Sequence, residues 1–429
     1  MFNKFKAGFC SIIVMCILSS PVFSGEDATV SASGEDRSES SLWTRDTLTD
    51  NWFGLGEKLE ENGISVGLGM THVHQYNLHD GADPGSGAYS GSYDLEIEAD
   101  MERLAGLDGG TLFMLAEGSW GEGDGLDADS VGSLFGINDD FGGDRGMDIT
   151  ELWYEQHFYD DRLRIRTGKI DLTGGFEYRG CPVAFDGNMY ANDETAQFLN
   201  SSLVNNPAIP FPDNGLGIMV FLQAADGWYV ALGAADAEAD ARETGFNTTF
   251  DGDTDSFLIA ETGIVPMLHS GRGRLPGSYR LGIWNARIEK DYLEDNHSKR
   301  DDTGFYFSAD QMIWRENSED SQGMGLFTRV GWADEKVNEI EFSGSVGLQY
   351  KGIIPDRDND VLGFGIAHGT LSDDAAFNSS LEQVYEAYYN VEISPWLHIT
   401  PDLQMIKDPG GDSDAGDAFV AGVRVQMDF

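Results

Sequence analysis

Six side chains in the stretch ELWYEQHFYDDRLRIR carry groups that can bind or react. Two-residue alternation puts Glu151, Trp153, Glu155 and His157 on one face of an extended segment, and Arg164 and Arg166 on one face of the next. Carboxylates and guanidiniums in register across two strands can hydrogen-bond hydroxyl groups from both sides, or bond one another as a salt-bridge ladder. The spacing leaves both open. Hydrolysis by paired acids is a third chemistry, but Glu151 and Glu155 are four residues apart, roughly 13 Å along a strand, too far for either glycosidase separation. No G-x-S-x-G elbow or Ser/His/Asp constellation stands out, so catalysis is not expected.

Metal chemistry is also weakly supported. Asp124, Asp127 and Asp129, then Asp251, Asp253 and Asp255, then Asp412 and Asp414, offer oxygen ligands in Gly-rich segments, as Ca²⁺ prefers. None continues into a full calcium loop, so solvated acidic loops are the plainer reading, with divalent cations as optional partners. His72 and His74 share a face without a third ligand. No cofactor is expected.

The elements that carry these residues follow from the termini and the periodicity. Residues 1–24, with Lys4 and Lys6 before an apolar run and Ser19-Ser20-Pro21 after it, read as a secretory signal peptide. Loss of the two lysines takes the formal net charge from −47 to −49, which argues against nucleic acid as a partner. Cys10 and Cys16 leave with the leader, and the remaining Cys181 reads as an inert thiol. Residues 25–40 are polar and predict a flexible tether. Residues 41–63 place Trp52, Leu55 and Leu59 at helical spacing, which predicts a short amphipathic helix capped by Asp50 and ended by Gly63.

From Ile64 to Phe429 the helical period gives way to about 16 segments of roughly ten residues. They are expected to start near Ile64, Ser92, Gly110, Gly146, Arg162, Asn214, Gly227, Thr254, Gly277, Thr303, Met324, Glu339, Asp360, Glu382, Trp396 and Asp417. Tyr159-Asp160-Asp161, Ala225-Asp226 and Ser394-Pro395 make tight turns, whereas 121–145, 172–213 and 237–253 are long, so turns occupy one rim and loops the other. In AFVAGVRVQMDF the apolar Phe419, Ala421, Val423, Val425, Met427 and Phe429 alternate with small or polar residues, and only Val420 breaks the pattern. Aromatics at strand ends (Trp120, Tyr154, Tyr350, Trp396) fit the borders of a bilayer. The fold class expected is all-β, a transmembrane antiparallel β-barrel of about 16 strands with a short N-terminal helical segment.

Several blocks resemble the carbohydrate-selective porins of the OprB family: ELWYEQHFYDDRLRIRTGKID (151–171), FLNSSLVNNPAIPFPDNGLG (198–217), GSYRLGIWN (277–285), TGFYFSADQMIWRE (303–316), LQYKGIIPDRDNDVLGFGIA (348–367) and VYEAYYNVEISPWLHITPDLQMIKDPGG (384–411). TRDTLTDNWFGLGEKLEENGI (44–64) is similar to the family's N-terminal block, with Gly56 where a basic residue is expected. The resemblance implies a 16-stranded barrel for passive diffusion of mono- or oligosaccharides through the cell outer membrane, and a last strand ending in Phe429 that the barrel-assembly machinery reads. Partners would then be carbohydrate solutes and outer-membrane lipid. The rival reading is a structural or adhesive acidic barrel whose loops bind Ca²⁺ or a surface polymer.

Selective passage of a sugar needs weak, repeated contacts with donors, acceptors and flat faces. Besides Glu151, Trp153, Glu155, Arg164 and Arg166, alternation turns Arg280 with Trp284, Tyr306 with Asp310, Arg329, Glu386 with Tyr388, and Arg424 toward the lumen. The connection 172–213, which holds Phe176, Tyr178, Arg179, Phe185, Asn188, Tyr190, Asn192 and Phe198, is long enough to fold inward and narrow the pore.

Overall fold

The computed structural model describes residues 41–123, 125–173, 176, 198–242, 249, 255–295, 297–318 and 322–429. Sixteen antiparallel strands close into a barrel: β1 Ile64–His79, β2 Gly87–Asp100, β3 Gly110–Gly121, β4 Arg145–Phe158, β5 Leu163–Ile170, β6 Gly215–Ala225, β7 Trp228–Asp236 and β8 Ser256–Ile264 form one half. The other half is β9 Gly273–Ala286, β10 Asp302–Arg315, β11 Gly323–Trp332, β12 Ile340–Lys351, β13 Val361–Leu371, β14 Leu381–Ser394, β15 Leu397–Lys407 and β16 Ala418–Asp428. Each strand pairs with its sequence neighbours, and β1 completes the ring by pairing with β16 from Gly69↔Asp428 to His79↔Phe419. Closure leaves no strand edge unpaired, which a bilayer requires.

Fourteen of the strands begin within two residues of the sequence expectation; β2 and β9 begin earlier. Gly87–Gly91 reads as a loop by composition, yet it pairs along β1 as far as Tyr76↔Gly87. The start of β9 is extended by a short hairpin with Met267–Ser270.

The strands sort their side chains by face. Leu281, Leu232, Phe364 and Leu403 point outward and are 59%, 51%, 47% and 49% exposed, as lipid-facing residues must be. On β16 the outward set is Phe419, Val423 and their alternates, while Val420, the residue out of pattern, is buried inside. His72 is also outward, between Tyr89 and Trp120 with ring centroids 6.2 and 6.1 Å away, so the histidine pair sits among rim aromatics. Gly363 shows why small residues recur inside: a Cβ there would lie 2.0 Å from the Tyr388 ring, which crosses β13 at that point.

At the rim of short turns, helix α1 (Asp50–Glu60) opens with a left-handed turn, Asn51–Gly54 having positive φ, before the regular helix begins. Its cap is Thr49 rather than Asp50, because the Thr49 hydroxyl accepts the Trp52 N–H at 3.0 Å. Leu48 N donates to Asp428 O, and Trp396 Nε1 to Leu42 O, so this segment is tied to the start of β15 and the end of β16, which lie side by side at this rim. A second short helix, α2 (Met101–Ala105), turns the chain from β2 to β3.

Two loops from the opposite rim fold into the barrel. In the loop 122–144, Leu126, Val131, Phe135 and Ile137 pack with Phe198, Leu203 and Val204 of the loop after β5 against Phe327, Val361, Ala367 and Tyr388 of the wall. Ile209 and Phe211 reach a second cluster that includes Phe221, Tyr229, Phe257, Trp284 and Tyr306. The two loops bond each other through Asp139 N to Leu199 O, Ser201 N to Gly136 O and Asn205 Nδ2 to Asp139 Oδ1.

Candidate functional site

The turn between β4 and β5 sets the register of the charged wall. Tyr159, Asp160 and Asp161 all have positive φ, and the reversal they make places Glu155 opposite Arg166 and His157 opposite Arg164. Arg166 Nε donates to Glu155 Oε2 at 2.9 Å. His157 lies 2.9 Å from Glu155 Oε1 through Nε2 and 2.7 Å from Asp161 Oδ1 through Nδ1. The result is a chain of linked charges from the turn rim up the inner face.

Trp153 stands at the next inward position, opposite Gly168, whose φ of +139° and missing Cβ leave the strands close together there; a Cβ would meet Trp153 Cα at 2.7 Å. The indole is covered on both faces. The Arg166 guanidinium carbon lies 3.8 Å over its centroid, and Phe113 of β3 stacks at 4.7 Å. Its Nε1 donates to Glu151 Oε2 at 2.9 Å, and Asp171 N donates to the same oxygen at 3.3 Å. Trp153 therefore holds Arg166 and Glu151 in place instead of presenting a bare platform.

The arginines keep unused donors. Among the described residues Arg166 bonds only through Nε, and Arg164 donates no hydrogen bond, its Nε being buried without a partner. A guanidinium carries five N–H groups in a fixed fork, so with Arg166 Nε engaged and Arg164 Nε buried, the eight terminal N–H groups of the pair remain for a solute or water.

Arg280, Asp310, Trp284 and Glu386 do point inward, as alternation implies, but all four are enclosed, and the loop 198–213 meets Trp284 and Glu386. Arg280 Nη2 donates to Asp310 Oδ1 at 2.9 Å, with both side chains enclosed at 0% and 1% exposure. Trp284 lies inside the aromatic cluster beneath Ile209 and Phe211. Glu386 accepts Leu199 N at 2.6 Å and Asn200 N at 2.9 Å, which makes it a loop clamp. Arg329 Nη1 does the same work on Leu203 O at 2.6 Å. Arg179 and the other expected loop residues from Tyr178 to Asn192 lie outside the described residues.

Glu382 is the anchor that sequence reading missed. Its carboxylate accepts Ser133 Oγ at 2.5 Å, Leu134 N at 3.0 Å and Phe135 N at 3.4 Å from one loop, and Gly410 N at 2.7 Å from another. Gln75 and Gln404, on β1 and β15, both donate to Ile137 O at 2.9 Å. Apolar residues recurring through the Gly/Asp-rich loop 122–144 were the available signal, because a solvated loop has no use for Leu126, Phe135 and Ile137.

Asp127, expected as a solvated acid, instead closes that loop on itself. Its Oδ1 accepts Ser133 N at 2.8 Å and its Oδ2 accepts Ile137 N at 3.3 Å. Burial pushes its carboxyl up to about 6, against the opposing pull of those N–H groups. Asp255 pairs with Arg300, and Asp412 accepts from Asn378 at 2.6 Å. Among the described residues no group of three His, Cys, Asp or Glu is placed to hold a metal ion.

A closed sixteen-strand barrel, apolar outside, charged within and narrowed by inward loops, is the architecture of a porin, a channel rather than an enzyme. Residues 85–429 match the family described as carbohydrate-selective porin, OprB family, and the chain belongs to it. It is 24% identical to Porin B of Pseudomonas aeruginosa over 91% of this chain and 92% of that protein. It is 23% identical to the putative porin QuiX of Acinetobacter baylyi, over 90% and 94%. The fold is similar to the high-pH structure of Pseudomonas putida OprB, with TM-score 0.78 and 21% identity, covering 91% of this chain and 100% of that one.

Proposed function

We propose that this passive carbohydrate porin sits in the outer membrane and that sugars cross it along the wall formed by β4 and β5. Arg164 and Arg166 donate to sugar hydroxyls, Glu155 fixes Arg166 from one side, and Trp153 fixes it from the other. The unengaged guanidinium N–H groups of that pair are the observation that supports this reading most directly. Each contact is exchanged for a water contact, so binding stays weak enough for release. The final strand ends on Phe429, whose N–H donates to Leu68 O at the seam of the barrel; its recognition by assembly machinery belongs to the same proposal.

The test is flux into liposomes of glucose, longer glucans and amino acids of equal size. Sugar entry faster than size predicts is expected. Replacing Arg164 and Arg166 together by Ala is expected to remove roughly tenfold of that preference, the equivalent of one net hydrogen bond to a charged group. Size-limited passage of all solutes alike would reduce the protein to a general pore. A structural barrel is the second reading, favoured by the apolar packing of both inward loops, and zero flux would select it.

A further inference from the structure

The lumen is unequal in charge from one side to the other. On the wall β2–β4, Asp94, Glu96 and Glu98 project inward together, joined across the ladder by Glu117, Glu151 and Glu155. Arg145 at the start of β4 is already paired with Asp148 at 3.5 Å, and Glu151 is enclosed by Trp153 Nε1 and Asp171 N, so the five carboxylates Asp94, Glu96, Glu98, Glu117 and Glu155 face the two guanidiniums of the adjoining strand, Arg164 and Arg166. Glu98 lies within electrostatic reach of Glu155, Arg166 and His157, which makes this one connected field and not separate pairs.

Among the described residues, bases elsewhere in the lumen are engaged by the protein itself. Lys169 is 1% exposed, and its Nζ is held by Ile149 O and Ala241 O, each at 3.0 Å. Arg280 is matched by Asp310 at 2.9 Å, and Arg424 by Asp140 at 3.5 Å. On the far wall Ser343 and Ser345 of β12, Asn390 of β14 and Thr400 of β15 carry no charge, and the inward charges Glu382 and Glu386 of β14 and Arg329 of β11 are enclosed where they hold loop backbone groups. The chain as a whole stands at −47. A solute in transit thus meets net negative potential from the β2–β4 wall, while the charges of the far wall are enclosed or paired within the protein.

We propose that this pathway prefers cations, and that among carbohydrates it passes neutral and protonated amino sugars while holding back uronates and sugar phosphates. Narrow, low-dielectric walls focus such a field to the order of the thermal energy or more. One thermal unit of potential favours a monovalent cation over the matching anion by about sevenfold. The two free arginines then act as hydroxyl donors under a net negative field, and not as an anion clamp. This rests on sugars passing along that wall, so the experiment must separate the two claims.

The full-length protein in a planar bilayer under a KCl gradient gives the ion ratio from the reversal potential. Liposome flux at about pH 6 compares glucose, glucosamine and glucuronate, which share size and differ in charge. The expected result is K⁺ favoured roughly five- to tenfold and entry in the order glucosamine, glucose, glucuronate. Glu96→Gln with Glu98→Gln is expected to move the ion ratio at least halfway to unity while glucose flux stays unchanged. Asp94→Asn with Glu117→Gln gives a second pair should the first fail to assemble. Chloride preference, fastest entry by glucuronate, or an ion ratio unmoved by both pairs would overturn the inference. Glucose entering no faster than a neutral solute of equal size would overturn the sugar reading instead, whatever the ion ratio.

Discussion

Replacing Glu382 by Ala is expected to loosen the hold of the barrel wall on the loop 122–144. The carboxylate is 0% exposed and holds two well-formed backbone donors, Leu134 N at 3.0 Å and Gly410 N at 2.7 Å, with the Ser133 hydroxyl at 2.5 Å. An orphaned buried donor costs about 1–3 kcal/mol, so the Leu134 amide and the Ser133 hydroxyl, the two donors from the loop 122–144, together destabilise the closed loop by roughly 2–6 kcal/mol. That shifts the closed-to-open ratio by at least about thirtyfold. The barrel itself keeps every ladder bond, because Glu382 contributes its side chain and not its backbone to the loops. The loop retains Leu126, Val131, Phe135 and Ile137 as apolar anchors, so transient opening is expected rather than permanent release. Single-channel recordings should show larger, noisier conductance, liposomes should admit longer glucans, and limited proteolysis should cut within 122–144 at least tenfold faster. Glu382→Gln, which keeps one acceptor oxygen, should fall between. A Glu382→Ala protein with the parent's conductance, size limit and protease resistance would refute the assignment of Glu382 as the clamp.

Two other perturbations address different links. Asp127 has a folded value of about 6 against an ordinary 3.8, so the closed loop binds its proton more tightly than the released loop does. The closed form is therefore favoured fully below about pH 4 and loses that advantage as pH rises through about 6, a swing on the order of 3 kcal/mol. Protease protection of 122–144 should be stronger at pH 5 than at pH 7.5, and Asp127→Asn should flatten the profile. On the outer face, Leu281→Arg puts a guanidinium at a lipid-exposed position of β9, which costs about 2–4 kcal/mol near the bilayer midplane. Urea titration of the folded barrel in lipid should show that loss, whereas the inward-facing Ser308→Ala should show much less.

Strand existence and facing were legible because both depend on a period of two that survives along each segment. Arg164 and Arg166 were placed on the right face from their spacing alone, and the pairing with Glu155 and His157 followed once the turn at Tyr159–Asp161 fixed the register. The cover over Trp284 was not legible, because it comes from Ile209 and Phe211, more than sixty residues away and carried in a loop without periodicity. Glu386 shows the same limit from the other side: its inward direction is local information, while its two amide partners at Leu199 and Asn200 are long-range. Trp153 was expected among the constriction residues from its place on the face shared with Glu151 and Glu155. Only the positions of Arg166 and Phe113 on its two faces reveal that both are occupied.

Size and charge selection reside on different parts of this barrel. The clamps Glu382, Glu386, Arg329 and Gln404 act on loops that fill the half toward the long-loop rim, and they do so mainly through backbone partners. The charged wall of β2–β5 is set by strand register and by the turn at 159–162, neither of which the loops touch through those clamps. Loosening a loop should therefore change which lengths of glucan pass while leaving the ion ratio in place, and neutralising Glu96 and Glu98 should do the reverse. Sites without shared partners combine additively, so a protein carrying both changes should show the two effects side by side, each at its single-variant size. A combined protein whose ion ratio depends on the state of the loop would mean that the solute meets the field and the constriction at one place, and the division drawn between them would fail.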